Sequence, residues 1–230
     1  MRSLASPAQQ DEQMDALDLD AETYAAILTD LAQVNRWTLA ARPTLGFLDR
    51  VIGDRRSFSL LDVGFGDGDM LRSIAHWARK KGISASLTGV DLNPRSAGVA
   101  REATPGELGI RYITGDYLDL VGEGFDLIVS SLVAHHMTHD QLVTFLRTME
   151  AKAKLGWLIS DPNRHRLPYL GFPILARLMG WHRIVREDGQ LSIARAFRPA
   201  EWQPLLAEAG ITEAQVVRRF PYRICVERLR

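Results

Sequence analysis

Hydrophobic and polar positions run through this chain in two alternating rhythms. Between about residues 58 and 161, short apolar runs of strand length alternate with longer stretches whose apolar residues recur every three or four positions. The short runs centre on Phe58-Ser59-Leu60-Leu61-Asp62-Val63, Ser86-Leu87-Thr88-Gly89-Val90-Asp91, Ile110–Ile113, Phe125–Ser130 and Trp157–Ser160. The longer stretches carry helical spacing: Met70, Leu71, Ile74, Ala75, Trp77 and Ala78 predict a helix that ends near Lys80-Lys81-Gly82. Asn93-Pro94 opens another, closed around Pro105-Gly106, and Thr138 with Gln141 forms a capping box ahead of Leu142, Phe145, Leu146 and Met149. Strands alternating with helices predict an α/β fold. Its sheet is mostly parallel, its crossovers are right-handed, and ligands bind at the carboxyl ends of its strands.

The flanks depart from this rhythm. Residues 1–19 are polar and acidic, and disorder is expected there. Residues 20–56 form a helical extension. Asp20 caps a helix bearing Tyr24, Ile27, Leu28, Leu31 and Val34, and Pro43 sits in the first turn of a second helix that Gly53 ends. Covering a bound ligand and simply packing on the sheet are equally open to it. The main domain then spans 57–230, with an insertion at 162–198. From Leu167 to Trp181 the insertion is apolar, broken by Pro168, Gly171 and Pro173; from 164 to 198 seven Arg face only Glu187 and Asp188, a local charge of +5. It suits a lid over a substrate pocket, with a packed helix, a dimer contact or a weak membrane-surface contact as alternatives. A helix from Pro199 to Gly210 and two closing strands, Thr212–Val217 and Ile224–Leu229, complete the pattern.

The candidate chemistry gathers around one turn. Asp62-Val63-Gly64-Phe65-Gly66-Asp67-Gly68 follows the first strand and precedes the first helix of the alternating region. A glycine-rich strand-to-helix turn lets a ligand approach the backbone and aims helix N–H groups at it. Asp69 stands where a dinucleotide fingerprint has its third glycine, and the cluster Asp62, Asp67 and Asp69 would repel a pyrophosphate. A cofactor with an ammonium and a sulfonium centre, S-adenosylmethionine (SAM), suits it instead. Asp91 ends the second strand, 23 residues beyond Gly68, where a carboxylate can accept hydrogen bonds from both ribose hydroxyls. Asp91, Asp116, His135 and Asp161 all follow strands and so belong on one rim.

These residues resemble the class I SAM-dependent methyltransferases, most closely the small-molecule enzymes of the ubiquinone/menaquinone and natural-product type. The first motif of that family matches Asp62-x-Gly64-x-Gly66-x-Gly68. The resemblance implies a Rossmann-like sheet of seven strands with helices on both faces and the last strand antiparallel. It implies that Gly64, Phe65, Gly66 and Gly68 line the methionine part of SAM and that Asp62 meets its ammonium. Asp91 would hold the ribose, with Leu92 against the adenine. Asp116 would accept from the adenine amino group, with Tyr117 beside it and Ser131 and Leu132 bordering the cofactor. Leu132-Val133-Ala134-His135-His136-Met137 resembles a segment in which the first His acts with an Asp ending the next strand, here His135 and Asp161, with His136 adjacent. The chain departs from the family at Lys154-Leu155-Gly156 and after Asp161, which touches the substrate assignment more than the cofactor. S-adenosyl-L-homocysteine would be the product.

Composition narrows the partners. Lys+Arg and Asp+Glu both total 28, so the net charge is zero and nothing points to nucleic acid. The single Cys225 excludes an intrachain disulfide and a cysteine zinc site and fits a cytoplasmic location. No secretory signal and no membrane-spanning run is expected, and the protein is expected to be a monomer or homodimer. Two adjacent histidines make no metal site by themselves, so none is expected. The reaction expected is O-methylation of a small hydrophobic or aromatic acceptor, with His135 as general base, Asp161 orienting it, and Arg164 and Tyr169 as substrate contacts. C-methylation of an aromatic or quinone precursor would need less help from a base. A cofactor-binding protein without methylation, such as a cyclase or partner subunit, and a nicotinamide-dependent oxidoreductase are the other readings.

Overall fold

Central strand β1 (Ser57–Val63) places Leu60 and Leu61 on opposite faces of the sheet, and both are fully buried. A strand apolar on both sides needs cover on both faces, and the helices supply it. In the computed structural model, which describes residues 4–16 and 19–230, β1 pairs in parallel with β2 (Ser84–Asp91) on one side and β4 (Leu127–Ser131) on the other. β3 (Arg111–Thr114) extends the first side and β5 (Gly156–Pro162) the second. The closing hairpin of β6 (Gln215–Arg219) and β7 (Arg223–Leu229) adds β7 antiparallel to β5. The order is β3-β2-β1-β4-β5-β7-β6, the expected seven-stranded sheet with its last strand antiparallel. Strand order reverses beside β1, so a crevice opens at the carboxyl ends of β1 and β4.

Two apolar layers hold the sheet between helices. On one face α5 (His139–Lys152) and α8 (Pro199–Ala209) bury Phe145, Met149 and Trp202 against Trp157 and Ile128. On the other, α2 (Ala41–Ile52) and α3 (Asp69–Lys81) bury Phe47, Leu48, Leu71 and Ile74 against Leu60, Leu127 and Leu158. Each such side chain contributes roughly 1.5–3 kcal/mol by leaving water. The short α4 (Ser96–Glu102) covers β3. α5 begins with the expected capping box, Thr138 and Gln141 each accepting the other's backbone N–H.

The extension and the insertion meet each other above the carboxyl rim. α1 (Ala21–Trp37) is capped by Asp20, whose carboxylate accepts from the Thr23 N–H at 2.8 Å. Its Ile27 packs with Ala176, Trp181, Ile184 and Val185 of the insertion rather than on the sheet. The insertion folds as two helices, α6 (Arg166–Leu178) and α7 (Arg183–Arg195).

The start of the chain departs from the expected disorder. Residues 4–16 run as a strap along α7. Ala8 N–H donates to the Ala194 carbonyl at 3.0 Å, and the Gln13 and Met14 N–H groups donate to the two Asp188 oxygens at 3.0 and 2.9 Å. Leu4 is buried beside Tyr169, Ile193 and Ala194. The physical reason is charge and backbone pairing at long range: the acidic tract finds the basic insertion, and Arg195 reaches the Gln10 carbonyl and the Asp11 carboxylate. Residues 1–3, 17 and 18, which the same expectation covered, lie outside the described residues.

Candidate active site

The glycine turn is built by conformation as well as by lack of bulk. Gly64, Gly66 and Gly68 have φ of 80°, 56° and 80°, where L side chains are strained. A Cβ on Gly64 would collide with Val133, and one on Gly68 with the Tyr112 hydroxyl. Asp91 ties the turn to β2: its carboxylate accepts from the Gly66 N–H at 2.9 Å and from the Asn93 N–H at 2.8 Å. Burial nevertheless raises its pKa, against these hydrogen bonds. Asp62, almost without exposure, is pushed up to about 8 by burial first, then by the charges of Asp69 and Asp91. At pH 7 the Asp62 carboxyl therefore favours its protonated form.

A cavity of about 1030 Å³ opens over this rim. Its floor includes Gly64, Asp91, Leu92, Asp116, Tyr117 and Leu132, and its far side His135 and His136. Leu132 adopts φ of 65°, a left-handed conformation for a branched residue, held by its N–H donating to the Ser160 carbonyl at 3.0 Å. Asp116 accepts from the Leu118 N–H at 2.9 Å, and the Tyr117 ring stands edge-on to Phe145. α1 contributes Tyr24, Leu31, Val34 and Asn35 to the wall, and Thr38 at its end adds to them. The insertion contributes Leu167, Gly171, Phe172, Leu175 and Ile193, so both close the cavity from above.

His135 is the most heavily engaged residue there. Its Nδ1 lies 2.9 and 3.0 Å from the two Asp161 oxygens, and both side chains are buried. β4 leads into the His loop and β5 ends at Asp161, so parallel pairing of the strands sets them side by side. Nε2 has no hydrogen-bond partner and lies 3.5 Å from Glu12 Oε1 on the strap. Burial alone would lower the His135 pKa, but Asp161 and Glu12 outweigh it and push it up to about 10. Glu12 is held below the usual carboxylate range because His135, His136 and the Ser192 hydroxyl outweigh its own burial. His136 has Nδ1 at 3.0 Å from Asp15 and Nε2 at 3.7 Å from Glu12.

Several candidates stand elsewhere. Arg164 is fully buried but turned away from the cavity: it donates to the Leu4 and Ala196 carbonyls and pairs with Glu201, locking the strap to α8. It does not line the cavity expected to hold the substrate, because its hydrogen bonds and ion pair draw it to the strap and α8. Tyr169 packs beside Leu4 and Ile193 rather than on the main cavity. Phe65 lies under the turn, its ring 4.9 Å from that of Tyr112, and Ser131 is not on the cavity wall. Asp62, Gly66 and Gly68 support the rim from behind it.

Other site residues escaped the sequence reading. Glu12 sat in a tract given to disorder. Arg223, at the start of β7, lines the cavity with Nη1 buried and unpartnered, and burial lowers its pKa. Only its place opposite Pro162 in the hairpin register could have flagged it. The convergence of Glu12 with the histidine pair also differs from the expectation that no metal ligands gather here: one ligand atom from each lies within 4.8 Å of the others.

Among the described residues no helix is long and apolar enough to cross a membrane. Residues 60–156 match a family model described as a methyltransferase domain. A ubiquinone biosynthesis O-methyltransferase from Ruegeria pomeroyi is 25% identical over 200 residues, 74% of this chain and 77% of that one. Among solved structures, human N-acetylserotonin methyltransferase in complex with SAM superposes with a TM-score of 0.64 at 17% identity. That match covers 92% of this chain and 56% of that one, so the chain spans little more than half of the human enzyme. Magnesium protoporphyrin IX methyltransferase from Synechocystis, with bound S-adenosylhomocysteine, gives 0.54 at 15% identity, covering 95% and 91%. Residues 60–156 are thus similar to a methyltransferase domain, and the chain as a whole has the fold of the solved SAM-dependent methyltransferases it superposes on.

Proposed function

We propose that this enzyme methylates a hydroxyl of a small, apolar or aromatic acceptor, and that the acceptor oxygen meets the His135 edge of the cavity. The observation that carries this is the His135–Asp161 pair. Asp161 fixes one imidazole nitrogen at 2.9–3.0 Å, and Nε2 of this cavity-lining residue is buried without a hydrogen-bond partner. A weakly nucleophilic hydroxyl needs its proton removed, and His135, oriented by Asp161, takes it in the fraction of the protein whose Nε2 is unprotonated, a fraction that grows with pH because Asp161 and Glu12 hold the His135 pKa up. The Ruegeria relative carries the name of an O-methyltransferase, which supports the oxygen over carbon.

The residues present fit SAM. Gly64 and Gly68 leave room only for backbone, Asp91 keeps lone pairs for ribose hydroxyls, Asp62 suits an ammonium, and Arg223 offers a buried, unpartnered N–H to a carboxylate. When bound, SAM supplies an electrophilic methyl group on a sulfonium. Asp116, Leu92 and Tyr117 form the adenine side. Leu31, Val34, Phe172 and Leu175 line an apolar acceptor side and exclude water from it. The outward row of α6, Leu170, Ile174 and Leu178, is exposed and suits weak contact with a membrane surface that carries such an acceptor.

The test is methyl incorporation from labelled SAM into a panel of phenols and catechols, with mass spectrometry of any ligand retained on the purified protein. Label on oxygen supports the proposal; label on ring carbon replaces it with C-methylation. Tight SAM binding with no transfer to any acceptor refutes it.

A further inference from the structure

Glu12 on the strap and the adjacent pair His135 and His136 in the loop after β4 converge on one spot. Glu12 Oε1 is 3.5 Å from His135 Nε2 and 3.7 Å from His136 Nε2. These gaps are too long for good hydrogen bonds. They are close to what a shared cation demands: ligands about 2.0–2.1 Å from a tetrahedral zinc stand about 3.4 Å apart. The far nitrogen of each ring is also engaged. Asp161 holds His135 Nδ1 at 2.9 Å, and Asp15 holds His136 Nδ1 at 3.0 Å. A carboxylate behind each imidazole fixes its tautomer and leaves Nε2 basic and aimed inward, the arrangement that metal-binding histidines use. His135 Nε2 is buried and lacks a hydrogen-bond partner, although the Glu12 carboxylate stands beside it. Ser192 donates to Glu12 Oε1 at 2.7 Å and steadies the third donor.

We infer that Glu12, His135 and His136 form a binding site for a divalent transition-metal cation of the zinc class, with its remaining position open to the acceptor cavity. Two imidazoles and one carboxylate are a borderline-soft donor set that suits zinc over magnesium or calcium. All three residues line the cavity. The functional role rests on the acceptor reading above. A hydroxyl entering the open position releases its proton to water and keeps the electron pair on oxygen. The cation then replaces His135 Nε2 in making that oxygen nucleophilic. It also ties the strap to the histidine loop.

Titration of the chelator-treated protein with Co²⁺ and Zn²⁺ tests this without any turnover. One equivalent of Co²⁺ should give the intense visible bands of a tetrahedral centre, and Zn²⁺ should displace it. Glu12→Gln and His136→Gln should each weaken binding by about 100-fold or more, and Asp15→Asn, at a half-exposed carboxylate, by about 10-fold. Failure of the parent to take up one equivalent overturns the inference, as does unchanged affinity in both Gln variants. SAM affinity, measured separately on each protein, confirms that the variants fold. If SAM binds and methyl transfer proceeds at full rate with no cation bound, the cation has no part in the reaction while the methyltransferase reading stands.

Discussion

Replacing Asp62 by Asn should change how stability responds to pH more than it changes stability at any one pH. Asp62 is 2% exposed on β1, and its native pKa is raised from 3.8 to about 8. In the unfolded chain the group ionises near pH 4. The native protein therefore holds one more proton than the unfolded chain between those values. Stability falls as pH rises through that window, by about 1.4 kcal/mol per pH unit, and the loss is complete above pH 8. At pH 7 this reaches about 4 kcal/mol for the parent. Asn fills the same volume and has no proton to hold, so the variant should lack the slope. Urea unfolding from pH 5 to pH 9 measures it: the variant should gain on the parent steadily up to pH 8 and then run parallel. SAM should reverse the advantage, because its ammonium favours the ionised carboxylate. The parent should release a proton on binding, visible as a buffer-dependent binding enthalpy at pH 7, and the variant should release less. Curves that run parallel throughout would show that Asp62 is already ionised in the native state and would refute the reasoning.

Four further outcomes follow from the geometry. Asp91→Ala should weaken SAM binding by roughly 2–3 kcal/mol, from two charge-assisted hydrogen bonds partly replaced by water, and unchanged affinity in calorimetry would remove Asp91 from the ribose site. His135→Ala should keep SAM affinity while lowering kcat by about 10²-fold or more, with a smaller loss in Asp161→Asn; near-parental turnover would displace the histidine from the reaction. Arg164→Ala should lower stability by about 3 kcal/mol and free the strap, seen as early proteolysis near residue 10, while SAM affinity stays put; a changed affinity without destabilisation would return Arg164 to the site. Gly64→Ala adds about 1–2 kcal/mol of backbone strain and pushes Val133 aside, so SAM affinity should drop; parental affinity would show that the turn tolerates a side chain.

What the sequence made legible was local. The strand-turn-helix around Gly64 carries its own signals in a dozen consecutive residues, and the α5 capping box in four, so neither needs distant partners to be recognised. The His135–Asp161 pair was legible because β4 and β5 are adjacent parallel strands whose ends must align. Glu12 was not, because nothing within its polar, acidic tract signals burial; its partners Ser192 and His135 lie 180 and 123 positions away. Arg164 misled for a related reason. An arginine beside an apolar insertion looks solvated or ligand-facing until carbonyls from the strap and the Glu201 carboxylate are seen to surround it. Phe65 sits among the glycines, but its ring turns inward onto Tyr112.

The strap sets an order of events during synthesis. Its anchors are Asp188, Ser192 and Ala194 on α7, together with Arg164 and Arg198, so residues 4–16 leave the ribosome long before they have anywhere to settle. Closing a loop of such length is entropically unfavourable, and the strap's hydrogen bonds can form only after the sheet and the insertion are in place. The Rossmann-like core can therefore assemble with the cavity at its carboxyl rim still unroofed on the strap side. The strap's docking closes the pocket only where α7 already stands, so a bulky tag fused ahead of Leu4 should slow closure of the pocket more than assembly of the sheet, which refolding followed by separate probes would measure.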